Sequence, residues 1–362
     1  MTEFSIRQLN FIPGLELNRR YYDEVLKGLL NEFDPQLQYT AALIGYGSDV
    51  LGYDTPTSMD HNWGPRGQIF LLNTDAGRIP ALDAFLRRHL PPQYLGFPTH
   101  FTDKRTDHTQ NMTPHPGGEV NHLIELNVLP DYLRGLLGKD PQEFTSLDWL
   151  RLPEQELLEL TSGAVFHDDL GVNLVREQFA YYPAEIRLLK LAAYWNHIAN
   201  EEAFVGRCRE RGDLLGAKLI STRLLNSLLK ICFLLKGRYV PYSKWFTRAF
   251  SDLGLKEVEA AALDLLQENK LESIETKLAE LYLQVLHLQN FTPGIPKIEL
   301  EIIPYYNRPF RVIMAERIVT PLREAIVDED LRGHDLSEVG LDNRVDGIDL
   351  NNNGTLAKIF RV

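Results

Sequence analysis

The apolar residues change their period near residue 145, and this constrains the fold more than the chain's composition does. Before that point short strand-like runs alternate with helices. Residues 14–33 place Tyr22, Val25, Leu26, Leu29 and Leu30 at helical spacing. Asp34-Pro35 ends that helix, because the residue before a proline is driven out of the α region. Residues 37–46 (LQYTAALIGY) read as a strand running out into Gly45 and Gly47. A second strand covers 60–72, broken by Gly64-Pro65. A helix follows at 79–90, and a further strand at 122–129 (HLIELNVL). Residues 102–118 hold one large apolar side chain, Met112, which predicts an exposed, mobile loop. From Pro153 onward long helical periodicities take over, clearest at 184–204, 214–236, 255–267 and 271–290. The expectation is an α+β chain with a small mixed sheet over 1–145 and a mostly helical domain over 146–362.

Charge and composition exclude several classes. The net charge of −12 argues against general affinity for a nucleic-acid backbone. Two cysteines, Cys208 and Cys232, cannot build a disulfide framework or a cysteine-rich zinc module. No basic stretch leads into an apolar run at the N-terminus, and no segment approaches the ~20 apolar residues of a membrane helix, so the expected location is cytoplasmic. One region opposes the overall charge. Residues 207–248 hold ten Lys or Arg against Glu210 and Asp213, a net +8. That segment reads either as a solvated helix face or as a basic wall facing an anionic ligand.

The informative stretch is IGYGSDVLGYDTPTSMDHNWGPR, residues 44–66. A phosphate-binding P-loop would need Lys-Ser or Lys-Thr after Gly52, where Tyr53-Asp54 stands. A dinucleotide-binding fingerprint would need a small residue at Val50. A different spacing fits: a strand ends in Gly47-Ser48, and Asp60-His61-Asn62 follows. This resembles the signature of the nucleotidyltransferase superfamily, to which DNA polymerase beta belongs, in which Gly-Ser precedes an acid-x-acid pair. Together GSDVLGYDTPTSMDHNWGP, GAVFHDDLG, YYPAEI, VGRCRERGDLLG and PYSKWF resemble an uncharacterised bacterial family, a domain of unknown function with a nucleotidyltransferase-like N-terminal part and a helical C-terminal part.

The resemblance implies transfer of a nucleoside monophosphate from a nucleoside triphosphate, with ATP the expected one, to a hydroxyl or phosphate acceptor. In that reading Gly47 and Ser48 cradle phosphate through backbone amides and a hydroxyl. Asp60, Asn62 and Glu125 would hold Mg²⁺ from neighbouring strands. Asn62 departs from the pattern, since an amide brings no charge. The alternative is therefore a non-catalytic nucleotide-binding module with a degraded metal site. Arg66, Arg207, Arg211 and Lys244 are candidates for binding nucleotide or acceptor. Asp213 reads as a helix cap or as a base for an acceptor hydroxyl. His61 reads as a packing residue, and His167-Asp168-Asp169 as a polar turn first and a catalytic base second. Two metal readings are set aside: the evenly spaced His100, His108, His115 and His122, and a calcium-loop-like run from Asp349 that has Phe360 where glutamate is needed. A third class, an RNA-binding adaptor using 207–248, lacks a recognisable RNA module.

Overall fold

The computed structural model describes residues 9–106 and 108–340, and the chain forms two compact units. The first comprises the described residues up to Phe144 together with Glu156–Ala180. The second comprises Thr145–Gln155 together with the described residues from Tyr181 onward. The chain thus leaves the first unit at 145, returns to it at 156, and leaves again at 181, which a single join at 145/146 does not describe.

In the first unit, α1 (Gly14–Tyr21) passes through one π-helical turn (Tyr22–Leu26) into α2 (Lys27–Phe33). The sheet has four strands: β1 (Tyr39–Leu43), β2 (Arg66–Leu71), β5 (Leu123–Val128) and β6 (Ala164–Asp168) in the order β5-β2-β1-β6. Between β2 and β5 lie α3 (Ile79–His89) and a minimal hairpin, β3 (Gln93–Tyr94) with β4 (Phe97–Pro98). β1 runs antiparallel to both β2 and β6, whereas β2 and β5 are parallel, with Gln68 opposite Glu125. Every residue of β1 and β2 is buried. Strands covered on both faces read as continuous apolar runs, which is why β1 was legible. Leu17, Tyr21, Leu30, Ile69, Leu71, Leu82, Leu86 and Phe97 pack as one core between helices and sheet.

Two expectations fail here. The strand expected over 60–72 starts only at Arg66, so Asp60 and Asn62 lie before it rather than on it. The loop 102–118 is not a free tether. Met112 is 3% exposed and belongs to the core, bridged to Phe101. Gly64 makes room for it: a Cβ there would sit 2.5 Å from the Met112 sulfur. Backbone hydrogen bonds hold its neighbours too: the Gln110 carbonyl accepts the Asn62 N–H, and the Asn111 carbonyl the Thr102 N–H.

After β5 come α4 (Leu129–Leu137), α5 (Asp148–Arg151), α6 (Glu154–Thr161) and, beyond β6, α7 (Val172–Gln178). The second unit is built on α8 (Ala184–Glu210) and α9 (Leu214–Leu235), which pack together, with α10 (Ser243–Ser251), α11 (Lys256–Gln267) and α12 (Leu271–Asn290) following. Within the stretch expected to be helical, β7 (Ile303–Tyr305) and β8 (Arg308–Val312) form a hairpin against α8, with the Phe310 ring over Gly206. The buried Glu202 of α8 accepts hydrogen bonds from the N–H groups of Ile313 (3.1 Å) and Ala315 (3.0 Å) just before α13 (Glu316–Glu324). A second buried carboxylate, Glu154, pairs with Lys190 at 3.0 Å and accepts the Val240 N–H at 2.7 Å, while Lys190 also donates to the Tyr182 hydroxyl.

Candidate functional site

The end of β1 is closed by a side chain. Gln68 accepts the Ile44 N–H (3.1 Å) and donates to the Ile44 carbonyl (3.0 Å), extending the β1–β2 ladder after the strands part. The chain then turns through Gly45 (φ +88°) and Gly47 (φ +128°), conformations that L side chains rarely adopt. A single turn follows, in which the Ser48 carbonyl accepts the Tyr53 N–H at 2.8 Å. The N–H groups of Tyr46, Gly47, Ser48 and Asp49 meet no acceptor among the described residues. Four consecutive open donors on a turn of this shape suit an anion.

What fixes the turn is an ion pair beneath it. Arg66 and Asp49, each about 2% exposed, meet through two hydrogen bonds, Nε to Oδ2 at 3.0 Å and Nη2 to Oδ1 at 2.9 Å. Nη2 also donates to the Tyr46 carbonyl at 2.9 Å. Burial disfavours the guanidinium charge, and Asp49 more than restores it, so Arg66 stays firmly protonated. Gly47 leaves the space for this pair: a Cβ there would collide with Asp49 Oδ1 and lie 2.7 Å from Arg66 Nη2. The bracing continues into α1. Asn18 accepts the Arg66 N–H (2.7 Å) and donates to the Gly14 carbonyl, while Asp54 accepts both the Gly14 N–H (2.7 Å) and the Trp63 indole N–H (3.0 Å).

Beside the turn stand Tyr46, Glu125 and Tyr132. The Tyr46 ring lies over the Arg66 guanidinium, 5.3 Å from centroid to carbon, and its hydroxyl donates to Glu125 at 3.4 Å. Burial, and then the negative charges of Glu125 and Glu159, push the Tyr132 phenol well above its ordinary value. These phenols stay protonated and can donate hydrogen bonds throughout the neutral range.

The expected metal ligands fare differently. Glu125 is on β5 as read, but it faces Gln68 across the sheet. Asn62 adopts φ +51°, and its amide oxygen accepts the Gln110 N–H at 2.8 Å while its own N–H goes to the Gln110 carbonyl at 2.7 Å. Asparagine suits that left-handed position and that bond, so its presence has a local reason. Asp60 is exposed, with Oδ1 accepting the His61 N–H and facing the His61 ring at 3.3 Å. Among the described residues no group of three or more His, Cys, Asp or Glu side chains is placed to hold a metal ion. The set Asp60, Asn62 and Glu125 therefore does not fit a preformed Mg²⁺ cage. Arg66 is buried in its ion pair rather than offered to phosphate. Ser48 is half-buried, its hydroxyl without a bond among the described residues.

In the second unit the basic residues do not converge. Arg207 and Arg211 flank the α8 end, whereas Lys244 begins α10 beyond the far end of α9. α9 has 22 residues, so about 33 Å of helix separates the two ends, too far for one nucleotide to reach both. Several charges are also neutralised locally: Arg209 pairs with Glu275, Arg223 with Glu201 and Arg248 with Asp252. Arg207 lies over the Phe204 ring, and Lys244 over the Trp245 ring. Asp213 caps α9, accepting the Gly216 N–H at 2.8 Å. His167 and Asp168 end β6 rather than forming the expected polar turn, and Asp168 accepts from the Thr40 hydroxyl and from the N–H groups of Val172 and Asn173 at the start of α7. Of the four spaced histidines, His100 and His115 touch, His108 sits in a left-handed turn and His122 faces Asp83. The run from Asp349 lies outside the described residues.

Sequence reasoning missed Asp49, Tyr46, Asp54 and Tyr132. Asp49 directly follows Gly47-Ser48, which was the available signal. Comparison with known proteins adds the following. No curated protein matches the chain. A crystal structure of a nucleotidyltransferase-like protein from Exiguobacterium sibiricum 255-15 is similar at 11% identity, with a TM-score of 0.33, over 88% of this chain and 91% of that one. At that distance the likeness carries nothing about chemistry. Residues 149–246 match the family described as Domain of unknown function (DUF4037), and that stretch holds four of the five motifs, from GAVFHDDLG to PYSKWF.

Proposed function

We propose that the first unit binds a nucleoside triphosphate, ATP being the expected one, at the 45–49 turn. We further propose that the chain transfers the nucleoside monophosphate to a hydroxyl or phosphate acceptor. The observation that supports this best is the row of open N–H groups from Tyr46 to Asp49, on a turn fixed by the buried Arg66–Asp49 pair. A preorganised row of donors holds developing negative charge without reorganising as the reaction proceeds. The Ser48 hydroxyl adds a further donor. Arg66 holds the turn in shape and does not touch phosphate. The remaining contribution is positioning. Because Asp60, Asn62 and Glu125 form no cage, no step is assigned to a resident metal. Magnesium would arrive as the counter-ion of the nucleotide, as part of the substrate.

One observation favours a second reading. The Asn62 oxygen is spent on Gln110, which suits a nucleotide-binding module that does not catalyse. Calorimetric titration of ATP with Mg²⁺, alongside a pyrophosphate-release assay over a panel of hydroxyl and phosphate acceptors, separates the two. Binding with release supports transfer, and binding without release across the panel supports the module. Ser48→Ala should weaken binding about tenfold, the loss of one hydrogen bond to a charged group. Absence of nucleotide binding overturns both readings, and an affinity unchanged by Ser48→Ala places the triphosphate elsewhere.

A further inference from the structure

The row of open N–H groups begins at a residue whose side chain is also set apart. Among the described residues of the first unit, Tyr46 is the one Phe, Tyr or Trp side chain left exposed, at 44%. A lone exposed ring needs no explanation, but this one is held at three points. One face lies over the Arg66 guanidinium. The hydroxyl donates to Glu125 on β5. The backbone carbonyl of the same residue accepts from Arg66 Nη2. Arg66 is buried and fixed in turn by Asp49, so the support under the ring cannot swing away. The open face is the one turned from Arg66. A ring fixed in this way offers a flat apolar surface to a ligand without the cost of freezing a free side chain. Bases stack on aromatic faces whatever their edge groups, and the preference among them follows stacking strength.

We propose that Tyr46 is the nucleobase platform of the site: the base of the bound triphosphate, a purine ahead of a pyrimidine, stacks on the open face of the ring. The proposal rests on the reading of the 45–49 turn as the triphosphate site and adds how the nucleoside end is held. A nucleoside triphosphate is anionic at one end and flat at the other, and Tyr46 answers both ends, with its N–H in the row and its ring beside it. Arg66 then serves twice from below. It braces the turn through Asp49 and backs the ring, so that one buried cation sets the position of the phosphate donors and of the stacking face together.

The test is calorimetric and uses the full chain with two probes in the presence of Mg²⁺: ATP, and inorganic tripolyphosphate, which has the phosphates without the nucleoside. Tyr46→Leu keeps an apolar cover over Arg66 and removes the aromatic face, so the ratio of ATP affinity to tripolyphosphate affinity should fall about fivefold or more. CTP, with the smaller base, should lose less than ATP in the same variant. Tyr46→Phe keeps the ring and drops the bond to Glu125, and its ratio should match that of the wild type. A ratio unchanged in Tyr46→Leu, whether both affinities fall together or neither moves, leaves the side chain at most a cover for the Arg66–Asp49 pair and overturns the platform, while the turn stands as the triphosphate site. A ratio that falls as far in Tyr46→Phe as in Tyr46→Leu assigns the effect to the hydroxyl and overturns the platform as well. A loss for CTP equal to or above that for ATP overturns the choice of a purine. A wild type that does not bind tripolyphosphate refutes the turn as a phosphate site, and the platform falls with it. Circular dichroism and thermal melts of each variant confirm that the fold is retained.

Discussion

Cutting the ion pair beneath the turn is the sharpest probe of what holds the site. Asp49→Ala strands a guanidinium that is about 2% exposed, with only the Tyr46 carbonyl left as an acceptor among the described residues. Removing one partner of a buried pair costs about 3–5 kcal/mol. Replacing both partners by apolar residues of similar bulk, Asp49→Leu with Arg66→Met, removes the stranded charge and should return most of that loss. Urea unfolding of the wild type, the two single variants and the double variant gives the coupling, expected to exceed about 2 kcal/mol for groups in direct contact. The same proteins separate structure from ligand binding. If Arg66 braces the turn without touching phosphate, the salt dependence of ATP affinity should be the same in the folded double variant as in the wild type. A cost of Asp49→Ala below about 1 kcal/mol would refute the bracing, because a pair worth so little is solvated rather than buried.

Three further expectations follow from other parts of the fold. Met112→Ala should destabilise by about 2–5 kcal/mol, as for a core methionine, and should expose 102–118 to limited proteolysis; a variant as resistant as the wild type would return that segment to the role of a free loop. Asn62→Asp keeps the acceptor for the Gln110 N–H, so Mg²⁺ affinity measured by calorimetry in the absence of nucleotide should not change, and a clear gain would show the oxygen to be free for metal. Burial raises the Glu202 carboxyl to about 7, against the N–H groups of Ala315 and Ile313 that favour its charge. An acid whose folded pKa lies above its unfolded 4.5 contributes stability that is complete below about 4.5 and lost as pH rises through about 7. The stability difference between wild type and Glu202→Gln should therefore shift by up to roughly 3 kcal/mol over that window, and a difference that stays flat would show Glu202 to titrate normally.

The long helices and β1 were legible because each buries enough apolar surface to impose its period on the sequence. β6 was not: Ala164–Asp168 is a half-buried edge strand whose pattern is too short to stand out from the helices around it. The β7–β8 hairpin was hidden for a similar reason, since Ile303–Tyr305 and Arg308–Val312 are brief and each carries a proline, Pro304 and Pro309. At the site, Gly47 read as a residue that lets the backbone approach a phosphate, while its φ of +128° and the side chains crowded against it give glycine a local reason. The reason lies partly underneath, in an aspartate and an arginine seventeen residues apart in sequence. A single sequence shows that an arginine is present but not who holds its charge, so Arg66 read as a phosphate ligand. Asn62 read as a weakened metal ligand because the left-handed backbone that asparagine suits cannot be seen from residue type alone.

The return of residues 156–180 to the first unit bears on how this protein is made. β1 needs β6 on one side, and β6 lies beyond a segment already committed to the second unit. During synthesis the sheet therefore stays open along one side of β1 until residue 168 has left the ribosome. A polypeptide ending at 145 would present the edge of a strand whose five residues are all buried in the finished protein, a ready template for pairing with its neighbours. The stretch 149–246 taken alone would carry β6 with no sheet to join. The smallest piece expected to fold cleanly around this sheet therefore extends to about residue 180, and any dissection of the chain should begin from that boundary.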